Sequence, residues 1–160
     1  MNIGIIAFSQ SGNTESVARK IEESFSSTAH NVKVDMITVK GEVKPEIKKY
    51  KFGNKPEVDQ YDFLIFASSV QAFSLNSVMK YYLNQLDSLE KKRFFSIVTK
   101  ALPFNWTGGT RAIKQMKEIC KSKGAENCGN GIVHWREKTR SADINEVLCK
   151  VKQAVKSIEI

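Results

Sequence analysis

One stretch decides the fold of this chain: Asn2-Ile-Gly-Ile-Ile-Ala-Phe8-Ser9-Gln10-Ser11-Gly12-Asn13-Thr14. Its first half is an apolar run, which predicts a strand buried on both faces. Its second half is small and polar, and a helical pattern with Val17, Ile21 and Phe25 on one face follows at once. A loop between such a strand and such a helix directs backbone N–H groups and the helix dipole at one point, which suits a phosphate.

The side chains of this loop support the same prediction. Its hydroxyl and amide groups can donate hydrogen bonds, and Gly12 lets the backbone approach a ligand closely. An ordinary strand-to-helix turn with a Ser or Asn cap is the alternative. The loop lacks the Lys-Ser/Thr pair of nucleoside-triphosphate loops and the Gly-x-Gly-x-x-Gly spacing of dinucleotide loops. The predicted phosphate-binding residues are Ser9, Gln10, Ser11, Gly12, Asn13 and Thr14.

Strand and helix patterns alternate along the whole chain. Residues 61–68 and 93–99 are near-continuous apolar runs, whereas residues 31–37 alternate apolar with polar, as at a sheet edge. The last strand is predicted at residues 132–135, and Ser141 is predicted to cap the closing helix. This alternation indicates a parallel sheet in the order 2-1-3-4-5 with helices on both faces. Ligands bind such sheets at the switch point between strands 1 and 3.

The motif Ser-x-Ser-Gly-Asn-Thr at residues 9–14 resembles the phosphate loop of the flavodoxins, which bind flavin mononucleotide (FMN). The resemblance implies a flavodoxin-like three-layer α/β/α sandwich with a five-stranded parallel sheet, order 2-1-3-4-5, and FMN as the cofactor. The short length resembles the short-chain flavodoxins. Where a flavodoxin has its second helix, residues 40–60 are rich in Lys, Gly and Pro and predict a loop with at most a short helical turn.

Two further segments are predicted to open on the same edge of the sheet. Ala67-Ser-Ser-Val-Gln-Ala-Phe73 resembles the flavodoxin pattern Gly-Ser-Pro-Val-Tyr-Ala-Gly, with Gln71 at the aromatic position and Phe73 at the last glycine. Residues 99–109 resemble the Thr-x-Gly-Leu-Pro-Gly-Gly loop with bulky insertions. The residues that this resemblance assigns to the flavin are Ser68, Ser69, Val70, Gln71, Ala72, Phe73, Thr99, Lys100, Ala101, Leu102, Phe104, Trp106, Gly108 and Gly109.

The flavin ring requires apolar surfaces and few charges beside it. Phe73, Phe104 and Trp106 are the candidates for stacking on the ring, although loop aromatics can also plug the end of a sheet or form a partner-facing patch. The two segments contain no carboxylate, and Lys100 is their charged residue. Typical flavodoxins carry acidic residues near the ring, so the anionic reduced flavin is expected to form more readily here.

Composition limits the remaining possibilities. The chain has 160 residues, which predicts a single domain spanning residues 1–160. No apolar run is long enough to span a bilayer, and no signal peptide precedes the first strand, so we expect a cytoplasmic protein. The three cysteines and two histidines show no metal-ligand spacing. The net charge is +8, but the lysines are scattered, which is not typical of a nucleic-acid site. We interpret them as a solvated surface that either docks an acidic redox partner or repels other cations.

Three functions are consistent with these patterns. The first is an electron carrier that shuttles electrons between redox partner proteins and has no catalytic residues of its own, because the flavin carries the chemistry. The second is an NAD(P)H-dependent FMN or quinone reductase on the same fold, although no separate dinucleotide motif is visible. The third is a flavodoxin-like module that has lost its flavin, which the substitutions at Ser69, Gln71 and Phe73 leave open.

Overall fold

The computed structural model describes residues 1–101, 108–136 and 138–159, and strands alternate with helices throughout them. No helix among these residues is long and apolar enough to cross a membrane. The elements are β1 (Asn2–Ala7), α1 (Asn13–Ser24), β2 (Asn31–Met36), β3 (Thr38–Lys40), β4 (Lys51–Asn54), β5 (Phe63–Gln71), β6 (Ser74–Leu75), α2 (Ser77–Gln85), β7 (Arg93–Lys100), α3 (Gly109–Ser122), β8 (Glu126–His134) and α4 (Arg140–Ile158).

The main sheet is parallel and has the strand order β2-β1-β5-β7-β8. This arrangement confirms the predicted 2-1-3-4-5 order and the three-layer α/β/α sandwich. The central strands are buried on both faces because nearly every residue in them is apolar, whereas β2 is half-buried and lies at an edge. A short strand, β6, is added antiparallel to the end of β5.

Each face of the sheet has its own apolar core. On one face, Ile5 and Ile65 pack with Val17 of α1 and Val151 of α4. On the other face, strand residues such as Phe66 pack beneath α2 and α3. The apolar stripe predicted for the first helix is confirmed, since Val17, Ile21 and Phe25 are buried. The other helices also bury one apolar face each: Val78, Met79, Tyr82, Leu83, Ala112, Ile113, Met116, Ile144, Val147 and Val151.

A β-hairpin lies where a loop with at most a short helical turn was predicted. Strands β3 and β4 pair antiparallel, with Val39 opposite Phe52. The Phe52 ring stacks on Tyr81 of α2 at 5.6 Å between centroids, and the Tyr50 hydroxyl lies 2.6 Å from Ser77 Oγ. The hairpin therefore covers this flank of the sheet with aromatic side chains. Contacts between distant residues hold it, so its local composition indicated only a loop.

Two predicted boundaries near the C-terminus were wrong. Thr139 occupies the N-cap of α4, and Ser141 lies inside its first turn. Strand β8 begins at Glu126, so Gly129 and Gly131 lie within the strand and do not precede it. At Gly131 an added Cβ would lie 2.5 Å from Val147 Cγ2, so glycine is required there because α4 packs directly on the strand.

Candidate functional site

The loop between β1 and α1 leaves the N-terminus of α1 uncapped. Gly12 is the N-cap residue, with φ of 89°, and as a glycine it supplies no side-chain cap. The Gly12 N–H donates to Ser9 Oγ at 3.1 Å, which bends the loop back on itself. An added Cβ at Gly12 would meet nothing within 4 Å. Backbone donors at the start of α1 are therefore open to a ligand, as an anion site requires.

The predicted phosphate residues differ in their surroundings. Gln10, Ser11 and Gly12 are exposed, and Ser9 and Asn13 are half-buried. Thr14 is buried, and its hydroxyl lies 2.8 Å from Thr99 Oγ1 at the end of β7. The Thr14 side chain therefore links the β1–α1 loop to the end of β7. The backbone N–H of Thr14 is one of the donors at the start of α1.

The second predicted loop is a tight hairpin. β5 continues through Ser68, Ser69 and Val70 to Gln71, and the chain turns at Ala72 and Phe73 before pairing back along β6. The two turn residues have φ of 48° and 62°, the left-handed conformation of two-residue hairpin turns. Such turns usually contain Asn or Gly, so the sequence carried no signal for this one.

Phe73 is held in an unusual conformation at the tip of this hairpin. Its side chain is 57% exposed, and no other large hydrophobic side chain among the described residues is exposed. A bulky residue with positive φ is strained, and strain of this kind concentrates at functional sites. Gln71, predicted beside the ring, accepts a hydrogen bond from the Ser77 N–H at 3.0 Å, so its side chain also holds the start of α2.

Asn76 is a site residue that the sequence analysis missed. It is fully buried, and its Nδ2 donates to Gln10 Oε1 and to Ser69 Oγ, both at 3.1 Å. Its Oδ1 accepts the Val78 N–H at 2.9 Å and so caps α2. One side chain thus links the first two loops. An Asn directly before an apolar helical stripe predicts the cap, but nothing local indicates the link to Gln10.

Gln115 of α3 is a second residue that the sequence analysis missed. Its Oε1 accepts hydrogen bonds from the Leu75 N–H at 2.8 Å and from Ser74 Oγ at 2.9 Å. The β5–β6 hairpin is therefore fixed from the helix beside it. Because the partners are 40 and 41 positions apart in the chain, no local pattern could indicate the contact.

The third segment lies against this hairpin. Thr99 and Lys100 end β7 and are buried, and burial lowers the pKa of the Lys100 ammonium. Gly108, with φ of 112°, is the N-cap of α3, and an added Cβ there would lie 2.6 Å from the Phe73 Cα. Gly109 opens the helix, and Ala101 is exposed. The predicted ring-binding residues Leu102, Phe104 and Trp106 lie outside the described residues.

The described parts of the three segments meet at the carboxyl edge of the parallel sheet. They contain no carboxylate, and Lys100 is their charged residue. No group of His, Cys, Asp and Glu within the described chain could hold a metal ion. The arrangement combines an open helix terminus, a strained apolar tip and a buried cation, which suits an anionic ligand with an apolar ring.

Comparison with known proteins identifies the fold. No family model matches the sequence, and no curated protein sequence matches it. A flavodoxin from Streptococcus pneumonia TIGR4 superimposes with a TM-score of 0.68 at 16% identity, covering 98% of this chain and 99% of that one. Oxidised flavodoxin 1 from Bacillus cereus gives 0.68 at 18% identity, covering 98% of each chain. A Fusobacterium nucleatum flavodoxin bound to flavin mononucleotide gives 0.63 at 14% identity, covering 95% of this chain and 97% of that one.

These likenesses extend along nearly the whole chain. They show that it has the flavodoxin fold, as the phosphate-loop motif implied.

Proposed function

We propose that this flavodoxin-like protein binds FMN and carries electrons between protein partners. The observation that carries the proposal is the uncapped N-terminus of α1, with Gly12 open to solvent at the switch point of the sheet. A solved structure with the same fold is a flavodoxin bound to flavin mononucleotide. Bound FMN would supply electron transfer, and the chain would supply binding and electrostatic tuning.

The residues of the site fit the two halves of this cofactor. The backbone N–H groups of Ser11, Asn13 and Thr14 and the hydroxyls of Ser9 and Ser11 would hold the phosphate, while the Gly12 N–H keeps its bond to Ser9 Oγ. The exposed Phe73 and the adjacent strand end at Val70 offer an apolar surface for the ring. The ties from Asn76 and Gln115 hold these groups in place without a ligand, which lowers the ordering cost of binding.

Charge distribution supports a carrier with acidic partners. The chain has a net charge of +8, so an acidic docking surface on a redox partner would be attracted to it. We place this activity in the cytoplasm. The described parts of the site lack carboxylates, so the anionic reduced flavin would be less disfavoured than in an acidic flavodoxin. One unit charge about 8 Å away, at an effective dielectric near 20, contributes about 2 kcal/mol.

The test is a titration of the purified protein with FMN and with riboflavin, which lacks the phosphate. We expect a yellow complex with FMN, quenched flavin fluorescence and affinity lower for riboflavin by about a hundredfold or more, the worth of several charge-assisted hydrogen bonds. A protein that stays colourless and leaves FMN fluorescence unchanged contradicts the proposal and favours a module without flavin. Bleaching of the complex by NADPH alone identifies a reductase in place of a carrier.

A redox titration of the complex tests the electrostatic part. We expect the midpoint of the last reduction step to be less negative than in acidic flavodoxins measured alongside. A midpoint as low as theirs contradicts it.

A further inference from the structure

One edge of the main sheet is open. β8 pairs with β7 on one side, and no strand within the described residues pairs with its other side. In a parallel strand, successive residues direct their backbone groups to alternate sides. The Trp135 N–H donates to the Lys100 carbonyl at 2.7 Å, whereas the His134 N–H donates to Asp143 Oδ2 at 2.9 Å. Position 134 therefore faces outward, away from β7.

The same alternation turns the backbone groups of Asn130 and Ile132 outward. At one end of this edge, Asn127 Oδ1 accepts the Gly129 N–H at 3.2 Å, and at the other end Asp143 binds the backbone at position 134. Between these two capped ends, the outward N–H and C=O groups of Asn130 and Ile132 have no partner among the described residues. The edge thus offers a short, defined length of strand for pairing.

A groove runs beside this edge, between α3 and β8, with a volume of about 510 Å³. Its apolar lining comes from Ile113 and Ile132. The charged residues that line it are Lys114, Lys117, Glu118 and Lys121. Glu118 lies 3.9 Å from Lys114, so the stripe of three lysines leaves the groove net positive. We call the outward edge at 130–132 together with this groove the β8 groove.

We propose that the β8 groove binds an extended acidic segment of a partner protein as an added strand. The backbone of such a segment would pair with Asn130 and Ile132, and every second side chain would face α3. On that side, the carboxylates of the acidic residues would meet Lys117 and Lys121, and the methylene groups of the same side chains would contact Ile113 and Ile132. This surface lies on the outer strand of the sheet, and the proposal does not depend on a flavin.

A second copy of this chain fits the edge poorly. If β8 paired antiparallel with itself around a two-fold axis, both α3 helices would lie on the same face of the joined sheet. The lysine stripes would then face each other across the seam, and like charges opposed at close range are unfavourable. An acidic segment would be attracted to the lysines that repel a second copy of this chain, so a different protein is the favoured partner.

The experiment uses a fluorescein-labelled octapeptide of alternating glutamate and valine as the probe, titrated into the full chain. We expect saturable binding, with the amide protons of Asn130 and Ile132 becoming slower to exchange. N-methylation of the peptide at alternate residues is expected to abolish binding in one register and spare it in the other, because only one set of amides faces the edge. The alternating lysine–valine peptide is expected not to bind.

Variants of the protein separate strand pairing from general charge attraction. Lys117→Glu with Lys121→Glu is expected to weaken binding by about tenfold or more, as opposed rim charges do. Lys40→Glu with Lys51→Glu makes the same change in net charge on the β3–β4 hairpin and is expected to have little effect. Absent binding, indifference to N-methylation, or equal weakening by both double variants overturns the proposal. A concentration-dependent dimer that protects the same amides also overturns it, in favour of a second copy.

Discussion

Two neighbouring helices at the site begin in opposite ways. α2 is capped by its own chain, because the buried Asn76 accepts the Val78 N–H. α1 has Gly12 at the same position, which supplies no side-chain cap. Both helices follow central strands of one sheet, so their dipoles point to the same edge. The cap on α2 therefore supports the framework, and the backbone N–H groups at the start of α1 stay available to an anion. α3 also begins at a glycine, Gly108, but that residue is buried against Phe73.

The largest expected loss of stability comes from removing the Asn76 side chain that caps α2. Asn76→Ala deletes the cap of α2 and unpairs Gln10 and Ser69. We expect a loss of about 2–3 kcal/mol in the free energy of unfolding, measured by urea denaturation. Asn84→Ala, in an exposed part of the same helix, is the control. A loss as small as that of the control would show that the hydrogen bonds of the Asn76 side chain do not stabilise the fold.

The next largest loss of stability is expected from breaking the hydrogen bond between Thr14 in the β1–α1 loop and Thr99 in β7. Thr99→Val leaves the Thr14 hydroxyl buried without its partner, and we expect a loss of about 1–2 kcal/mol in unfolding free energy. Thr14→Val combined with Thr99→Val removes both polar groups, so the double variant should be less destabilised than the sum of the singles. Strict additivity in chemical denaturation would contradict a direct coupling between the two hydroxyls.

The contrast between sealed and open groups extends to the cysteines. Burial raises the pKa of the Cys120 thiol to about 12 from 9.0, so between these values the native state keeps a proton that the unfolded chain loses. The free energy of unfolding should therefore fall as pH rises above 9, by up to about 1.4 kcal/mol per pH unit. Cys120→Ala should flatten this fall.

Cys149→Ala, at an exposed cysteine, is the control for that pH series. Burial also raises the pKa of Cys128, which adds to the fall in both variants, and the pKa of Tyr82, which adds to it above pH 10. The change in slope caused by Cys120→Ala is therefore compared between pH 9 and 10. An unchanged slope in Cys120→Ala would be inconsistent with the buried thiol as its source.

Gly12 and Gly41 form a matched pair for testing the open helix. Their φ angles are 89° and 87°, and neither has an atom within 4 Å of an added Cβ. Alanine at either position should cost about 1 kcal/mol of stability through backbone strain. Only Gly12→Ala should weaken FMN binding, by about tenfold, equivalent to 1.4 kcal/mol. If a fluorescence titration gave equal FMN affinities for both variants, the prediction that this loop binds the phosphate would be wrong.

The smallest expected effect is a gain in stability. Phe73→Gly relieves a positive φ of 62° but adds freedom to the unfolded chain, so we expect a net stabilisation of about 0.5 kcal/mol, seen as a raised Tm. Lys91→Gly, at φ of 64°, is the matched control. Only Phe73→Gly should weaken FMN binding, and unaltered affinity in that variant would mean that the exposed ring does not contact the flavin.

Prediction from sequence succeeded where the local pattern of apolar and polar residues is strong. Apolar runs located the central strands, alternation placed 31–37 at an edge, and the phosphate-loop motif implied the fold found among solved structures. It failed where distant contacts decide. The β3–β4 hairpin depends on Tyr81 and Ser77, and the left-handed turn at Phe73 contradicts local preference because Gln115 and Gly108 hold it. Binding roles at the site stay predictions.

The hairpin of β3 and β4 has a consequence for the order of folding. Its strands are separated only by residues 41–50, so closing it costs little chain entropy. The neighbouring pair β1 and β5 joins Ile3 to Phe63 and must wait for a far longer closure. We therefore expect β3 and β4 to meet before β1 pairs with β5, and the contact between Phe52 and Tyr81 to fix the hairpin only when α2 packs against it.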